Sequence, residues 1–91
     1  MNLEIVSPEA VLLKAEVESV YVPGINGDFQ MLSNHAPVVS LLQKGKIKMK
    51  GDFTIDEQYQ SKFTKEGNET ILTIESGTIE MNNNKVIILV E

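Results

Sequence analysis

The feature that most constrains the fold of this chain is a series of short strand-like segments separated by turn signals. Apolar or β-branched residues alternate with polar ones within most segments, and turn signals recur at the short, regular intervals that separate neighbouring strands. These signals lie at Ser7–Glu9, Pro23–Gly24, Ser33–His35, Gln43–Gly45, Lys65–Glu69, Ser76–Gly77 and Asn82–Asn84. This pattern is typical of an all-β sandwich or barrel. The chain has 91 residues, which predicts one domain spanning residues 1–91.

The cleanest alternation lies between Lys44 and Lys50. Ile47 and Met49 point to one face of the predicted strand. The opposite face carries Lys44, Lys46, Lys48 and Lys50. These lysines could form a basic stripe for an acidic partner. They could also form a solvated face, or protect an edge strand from aggregation. We favour a solvated face or edge protection over a site for a partner.

Three further segments give predictions that the structure can test. Lys14 to Val22 is strand-like, and Asp28 to Leu32 is the returning strand of a hairpin. Asn26–Gly27 predicts the tight turn of that hairpin, because both residues tolerate positive φ. Val86 to Val90 is continuously apolar, which predicts a strand at the centre of a sheet or one covered on both faces.

The segment from Gly51 to Asn68 has an ambiguous period. Its apolar residues fit one face of a helix with Asp52 as the N-cap, and they also fit one face of a strand. These residues are Phe53, Ile55, Tyr59 and Phe63. We predict strands, because the surrounding chain is β-like.

Composition and charge exclude several classes of function. The net charge of −5 argues against nucleic-acid binding, which requires a basic patch. No stretch approaches the ~18 apolar residues of a membrane span, so we expect no insertion into the bilayer. There is no cysteine, and hence no disulfide or thiolate. No signal-peptide pattern marks the N-terminus. Because small secreted domains often need disulfides, an intracellular location is the default expectation for this cysteine-free chain.

The stretch from Pro23 to Pro37 contains the two polar residues most suited to chemistry. His35 is the only histidine, but no cysteine or carboxylate cluster accompanies it, whereas a zinc site needs about three protein ligands. We favour a turn histidine that hydrogen-bonds backbone groups between Asn34 and Pro37, or a partner contact, over catalysis. Asp28 is either a recognition residue at a loop tip or a solvated turn residue.

Other patterns that could indicate chemistry are incomplete. Gly24 to Gly27 lacks the lysine and the following helix of a phosphate-binding loop. Asp56 and Glu57 are adjacent, so on a strand they would point to opposite faces. Ser7 has no base nearby in the sequence. We therefore predict no catalytic residue, no cofactor and no metal site.

The chain resembles the epsilon subunit of F-type ATP synthase over nearly its whole length. The residues that carry the resemblance are Leu3–Glu9, Val17–Gly24, Gly27–Phe29, Leu32–Pro37, Gly45–Ile47, Gly77–Met81 and Asn83–Val86. Leu-Ser-Asn-His-Ala-Pro is the most specific of these, although Ser33–Asn34 replaces the more usual Pro-Gly. The segment Gly51–Asn68 looks longer than is usual for the family.

This resemblance implies a flattened antiparallel β-sandwich of two sheets with about ten strands. It also implies a non-catalytic rotor subunit that couples the gamma subunit to the membrane c-ring during proton- or sodium-driven ATP synthesis. The complex would include the alpha, beta and delta subunits, at the cytoplasmic face of a bacterial inner membrane.

By resemblance, five residues contact these partners. Asn26, Gly27 and Asp28 would face the polar loops of the c-ring, with His35 near the same end, next to gamma and the ring. Ser7 would lie on the side that faces gamma.

Typical bacterial relatives continue into a two-helix domain where this chain ends, at Glu91. We therefore expect no helical C-terminal domain and no inhibition of hydrolysis by such helices. Two other functions remain as alternatives. One is an unrelated β-sandwich module that binds a protein or a small ligand, and the other is a small enzyme that uses His35 and Asp28.

Overall fold

The computed structural model describes residues 1–91 and contains ten strands and one short 3₁₀ helix. The strands are β1 (Asn2–Val6), β2 (Val11–Glu16), β3 (Ser19–Val22), β4 (Phe29–Leu32), β5 (Val38–Leu42), β6 (Gly45–Lys50), β7 (Phe63–Glu66), β8 (Glu69–Ile74), β9 (Gly77–Asn82) and β10 (Lys85–Val90). The prediction of an all-β domain is confirmed. The one helix is far too short to cross a membrane.

The strands form two five-stranded sheets that pack face to face. The first sheet has the order β2-β1-β10-β9-β5, and the second has the order β4-β3-β6-β8-β7. All neighbouring strands are antiparallel except β1 and β10, which run parallel with Asn2 opposite Lys85. The ten-stranded sandwich is thus confirmed, but it is not wholly antiparallel. Parallel neighbours need a long connection, and the rest of the domain lies between these two strands.

Alternate residues of each strand meet in one core between the sheets. Leu3 and Ile5 of β1 are fully buried, as is Ile88 of β10. Ile47 and Met49 of β6 are also fully buried, which confirms the inward face predicted from their alternation with lysine. Tight packing of this kind resists deformation.

The structure decides between the alternatives that two predictions about strand position left open. β6 lies at the centre of the second sheet, so its lysines occupy a solvated face and do not protect an edge. β10 is central in the first sheet, as predicted, but its outer face is not covered. Leu89 remains 51% exposed there. A continuous apolar run therefore indicates a central strand here without indicating a second covering layer.

The strand predicted between Lys14 and Val22 is interrupted, because the chain passes from one sheet to the other. Residues 17 and 18 form the crossing. The Val17 amide donates to the Met1 carbonyl (2.9 Å), and the Glu18 amide donates to the Lys50 carbonyl (2.7 Å). The crossing resets the alternation, so Val20 is buried although Glu18 is exposed.

The preference for strands between Gly51 and Asn68 was wrong up to Lys62, and only Phe63–Glu66 forms a strand in this segment. A 3₁₀ helix occupies Glu57–Lys62, and β7 follows it directly. Its N-cap is Asp56, whose carboxylate accepts from the Gln58 amide (3.1 Å), and not Asp52. The apolar side chains of the segment, Phe53, Ile55, Tyr59 and Phe63, pack against the core. This local cap and the apolar contacts together favour a helical turn over a strand.

Candidate docking surfaces

The loop between β3 and β4, residues 23–28, is anchored by hydrogen bonds at its base. The Ile25 amide donates to the Leu41 carbonyl (3.0 Å), and the Gln43 amide donates to the Pro23 carbonyl (2.9 Å). The Gln43 side-chain amide donates to the Gly24 carbonyl (3.2 Å). These bonds tie the loop to β5 and the residue that follows it, so the loop joins the edges of the two sheets.

The turn within this loop differs from the predicted one. The Gly27 amide donates to the Gly24 carbonyl (3.0 Å), which places Ile25 and Asn26 at the centre of the turn. Gly27 has φ +123°, but Asn26 does not have positive φ, so the predicted tight turn is present and its expected positive φ at Asn26 is wrong. Gly24 is fixed by space, because a Cβ there would lie 2.6 Å from the Gly27 carbonyl oxygen.

The tip of the loop presents a carboxylate with a defined orientation. Asn26, Gly27 and Asp28 are all exposed. The Tyr21 hydroxyl donates to Asp28 Oδ2 (2.9 Å), and this hydrogen bond is the main reason that the pKa of Tyr21 is raised above its ordinary value. The bond holds the anionic group against the second sheet, where Lys48 Nζ lies 5.4 Å from the centre of the Tyr21 ring.

His35 lies in the turn that follows β4. Its amide donates to the Leu32 carbonyl (3.2 Å), and its Nδ1 lies 2.7 Å from the Ala36 carbonyl oxygen. The neighbouring Asn34 has φ +66°, and its amide donates to Asn84 Oδ1 (2.9 Å) in the turn between β9 and β10. The prediction of a turn histidine bonded to nearby backbone is confirmed. No three His, Asp or Glu side chains are grouped to hold a metal ion.

The structure places Asp28 and His35 at opposite ends of the sandwich. Phe29 at the start of β4 pairs with Val22, and Leu32 at its end pairs with Ser19. At ~3.3 Å per residue, β4 carries the chain about 10 Å before the turn that holds His35 begins. The expectation that the two residues share one end was therefore wrong, since a strand separates them.

Ser7 lies at the same end as Asp28, but on the side formed by β1 and β2. Its hydroxyl donates to the Ala10 carbonyl (3.2 Å) and accepts from the Ala10 amide (3.3 Å). The hydroxyl is also 3.4 Å from Glu9 Oε2. Ser7 lines a cavity of about 410 Å³. Lys62, the last residue of the 3₁₀ helix, also lines this cavity. The hydroxyl thus closes a turn, and no histidine activates it.

An apolar surface between the 23–28 loop and the turn of Ser7 was not predicted from the sequence. On the outer face of the first sheet, Leu41 pairs with Thr78 and Thr78 pairs with Leu89. Leu89 in turn pairs with Val6, and Val6 pairs with Val11. We call these five residues the apolar row. It crosses the whole sheet, from the 23–28 loop to the turn of Ser7.

The apolar row is accessible along most of its length. Leu41 is 57% exposed and Val11 is 49% exposed. Val39, two residues before Leu41 on β5, is 78% exposed. A groove of about 420 Å³ lies between Ile25, Leu41 and Leu89. The sequence did carry a signal for this surface, because a strand without alternation, such as Val86–Val90, places apolar side chains on both faces.

Comparisons with known proteins agree over the whole chain. Residues 1–91 match the family model described as the beta-sandwich domain of the ATP synthase Delta/Epsilon chain. The ATP synthase epsilon chain of Chlorobium limicola is 33% identical over 90 residues, which cover 99% of this chain and 88% of the relative. The epsilon chain of Maridesulfovibrio salexigens is 38% identical over 90 residues, which cover 98% of this chain and 53% of the relative.

Solved structures agree with the fold at lower sequence identity. A chain in the central stalk and c-ring of the Tetrahymena thermophila mitochondrial ATP synthase has a TM-score of 0.73 at 10% identity, covering 98% of this chain and 61% of that one. A chain in the Euglena gracilis mitochondrial ATP synthase has a TM-score of 0.74 at 20% identity, covering 97% of this chain and 48% of that one. From the family match along its full length, this chain belongs to the beta-sandwich family of ATP synthase delta and epsilon chains.

Proposed function

We propose that this chain is a non-catalytic rotor subunit that couples the gamma subunit to the c-ring during proton- or sodium-driven ATP synthesis. The observation that carries the proposal is the exposed apolar row, which ends beside a rigid, hydrogen-bonded loop in a chain of the epsilon family. A coupling subunit needs two separate contact surfaces, and this arrangement offers both.

The apolar row is the proposed contact with gamma. Each leucine that leaves water contributes about 1.5–3 kcal/mol, so Leu41 and Leu89 could supply much of the binding free energy. A partner that covers the row would reach the turn of Ser7 at its far end. A partner that also follows β5 past Val39 would approach His35 at the opposite end of the sandwich. We therefore propose Ser7 and His35 as gamma contacts at the two limits of one surface.

The exposed tip formed by Asn26, Gly27 and Asp28 is the proposed contact with the c-ring. The loop is fixed at its base, and the Tyr21 hydrogen bond orients the Asp28 carboxylate. An oriented charge at the edge of an interface steers association and selects among partners. This tip suits a polar surface such as the loops of a c-ring.

The proposed role requires stiffness and no chemistry. A close-packed core deforms little, which allows a coupling element to transmit torque without slipping. The Ser7 hydroxyl bonds its own turn and the exposed His35 bonds adjacent backbone, and these contacts support a role without chemistry. The chain would act within a complex of alpha, beta, gamma and delta subunits, peripheral to the cytoplasmic face of a bacterial membrane.

Affinity capture tests this proposal. Immobilised chain should retain gamma and c subunits from detergent-solubilised membranes of the same organism, and purified chain should hydrolyse no ATP. Heat-denatured chain on the same resin is the control for non-specific capture. If the folded chain recovers no ATP synthase subunit, or if it turns over ATP alone, the proposed role is wrong.

A further inference from the structure

The outer face of the second sheet carries half of the basic residues of the chain. Of the eight basic residues, all of which are lysines, four lie between positions 44 and 50. We propose that this surface, the lysine face (Lys44, Lys46, Lys48 and Lys50), is a docking site for an acidic, extended segment of a protein partner. The site lies on the sheet opposite the apolar row, so it does not depend on the gamma contact proposed above.

None of the four amines is neutralised within the chain. The only ion pair joins the Met1 amino group to Glu16 (3.4 Å). Glu69 sits opposite Lys50 in the strand register but forms no ion pair with it. Asp28 shares a groove of about 230 Å³ with three of the lysines, but its carboxylate forms no ion pair with any of them. The lysine face thus keeps its positive charge although the whole chain carries −5.

Protection of a sheet edge does not explain this placement. β6 is the central strand of its sheet, with β3 on one side and β8 on the other. Lysine is disfavoured in strands, and four like charges on one face repel one another. Lys48 gains a contact with the Tyr21 ring, but no ion pair within the chain offsets the repulsion among the four lysines. Acidic groups supplied from outside would offset this repulsion.

The geometry of the lysine face favours an extended acidic segment. Lys46, Lys48 and Lys50 occupy alternate positions of one strand. At ~3.3 Å per residue, alternate positions of any extended chain are separated by about twice that rise. The carboxylates of an extended acidic peptide therefore have the spacing needed to meet successive lysines. An anionic membrane fits less well, because a planar surface would extend beyond the lysines to Glu69 and Glu66 at their side, whereas a narrow peptide can follow β6 alone.

The chain contains its own matched control for this proposal. Substitution of the four lysines of the face by glutamine and substitution of the other four, Lys14, Lys62, Lys65 and Lys85, give variants of equal net charge. Only the position of the lost charges differs between them. Thermal unfolding of both variants checks that the sandwich stays folded, since none of the eight side chains is buried in the core.

The probe is a synthetic peptide that alternates glutamate and threonine, with binding followed by fluorescence anisotropy and by amide chemical shifts. We expect shifts confined to β3, β6 and β8, and an affinity about tenfold lower for the Lys44/46/48/50 variant than for the control variant. About 0.15 M salt should weaken binding of the wild-type chain.

Several results would overturn the proposal. These are equal losses in the two variants, shifts scattered over the surface, or no binding of the peptide at low salt. Vesicles of phosphatidylserine and phosphatidylcholine form the second arm. Binding to them that exceeds binding to the peptide would reassign the lysine face to a membrane. Capture of gamma and c subunits is measured separately with the same two variants. A loss of that capture would bear on the proposed rotor function and not on the binding of an acidic peptide to the lysine face.

Discussion

The two sheets of this sandwich resemble each other on their inner faces and differ sharply on their outer faces. Both inner faces bury aliphatic residues and methionine in one core. The outer face of the first sheet carries the apolar row, whereas the outer face of the second sheet carries four lysines without ion-pair partners. Outward-facing positions are therefore apolar on one sheet and basic on the other, and the domain presents two distinct surfaces to its surroundings.

This difference is invisible in the average properties of the chain. A net charge of −5 suggests an acidic surface. The overall share of apolar residues is ordinary for a globular protein. Strand pairing sorts the residues into separate faces and concentrates each type. The location of charge and apolar area thus says more about partners than their totals do.

The largest expected effect on the free energy of unfolding is the difference between substitutions on the inner and outer faces of a single strand. Ile88 is fully buried in β10, so Ile88→Ala should lower the free energy of unfolding by about 2–5 kcal/mol. Leu89→Ala, one residue later on the exposed face, should cost less than about 1 kcal/mol. Urea unfolding of both variants measures the difference. Equal losses would mean that Leu89 belongs to a core and that the apolar row is not a free surface.

A smaller effect is expected at the loop that borders the apolar row. Gly24→Ala places a Cβ 2.6 Å from the Gly27 carbonyl oxygen. Relief of this clash should cost about 1–3 kcal/mol. Asn26 in the same turn is exposed and does not have positive φ, so Asn26→Ala should leave the free energy of unfolding nearly unchanged. Urea unfolding reports both. If Gly24→Ala leaves the free energy of unfolding at the wild-type value, the loop is not held rigidly at Gly24.

The smallest effect concerns pH and the contact between the loop and the second sheet. The hydrogen bond to Asp28 raises the pKa of Tyr21 above its ordinary value of 10.0, so the folded chain holds that proton more tightly than the unfolded chain. Its contribution to stability is complete below pH 10.0 and is lost as pH rises through the raised pKa.

Tyr21→Phe should therefore flatten the decline of stability above pH 10.0, whereas Tyr59→Phe, which removes a hydroxyl that makes no hydrogen bond within the chain, should keep the wild-type slope. Unfolding midpoints across this pH range provide the measurement. Identical slopes for the two variants would show that the Tyr21 contact is not formed.

Local patterns predicted much of this fold. Strict alternation assigned the inner and outer residues of β6, and the polar run Asn82–Asn84 marked the turn between β9 and β10. Asn83 and Asn84 indeed have positive φ, which a two-residue hairpin turn requires. These features depend on neighbours in sequence, so the sequence reveals them directly.

Features that depend on distant residues were missed. The parallel pairing of β1 with β10 joins strands from the two ends of the chain, and no local period specifies it. The separation of Asp28 from His35 depends on the direction of β4. The apolar row depends on five strands in register, although each contributes only one of its residues. Pairing, more than strand identity, created the candidate surfaces.

The most direct test of the central claim compares two exposed leucines on different sheets. Leu41 in the apolar row is 57% exposed, and Leu32 on β4 of the second sheet is 55% exposed. Leu41→Asp and Leu32→Asp therefore add the same charge at nearly equal exposure. Binding of each variant to purified gamma subunit should be measured by calorimetry. We predict that Leu41→Asp weakens binding at least about tenfold and that Leu32→Asp leaves it nearly unchanged. Equal affinities, or a larger loss for Leu32→Asp, would contradict the assignment of the apolar row to gamma.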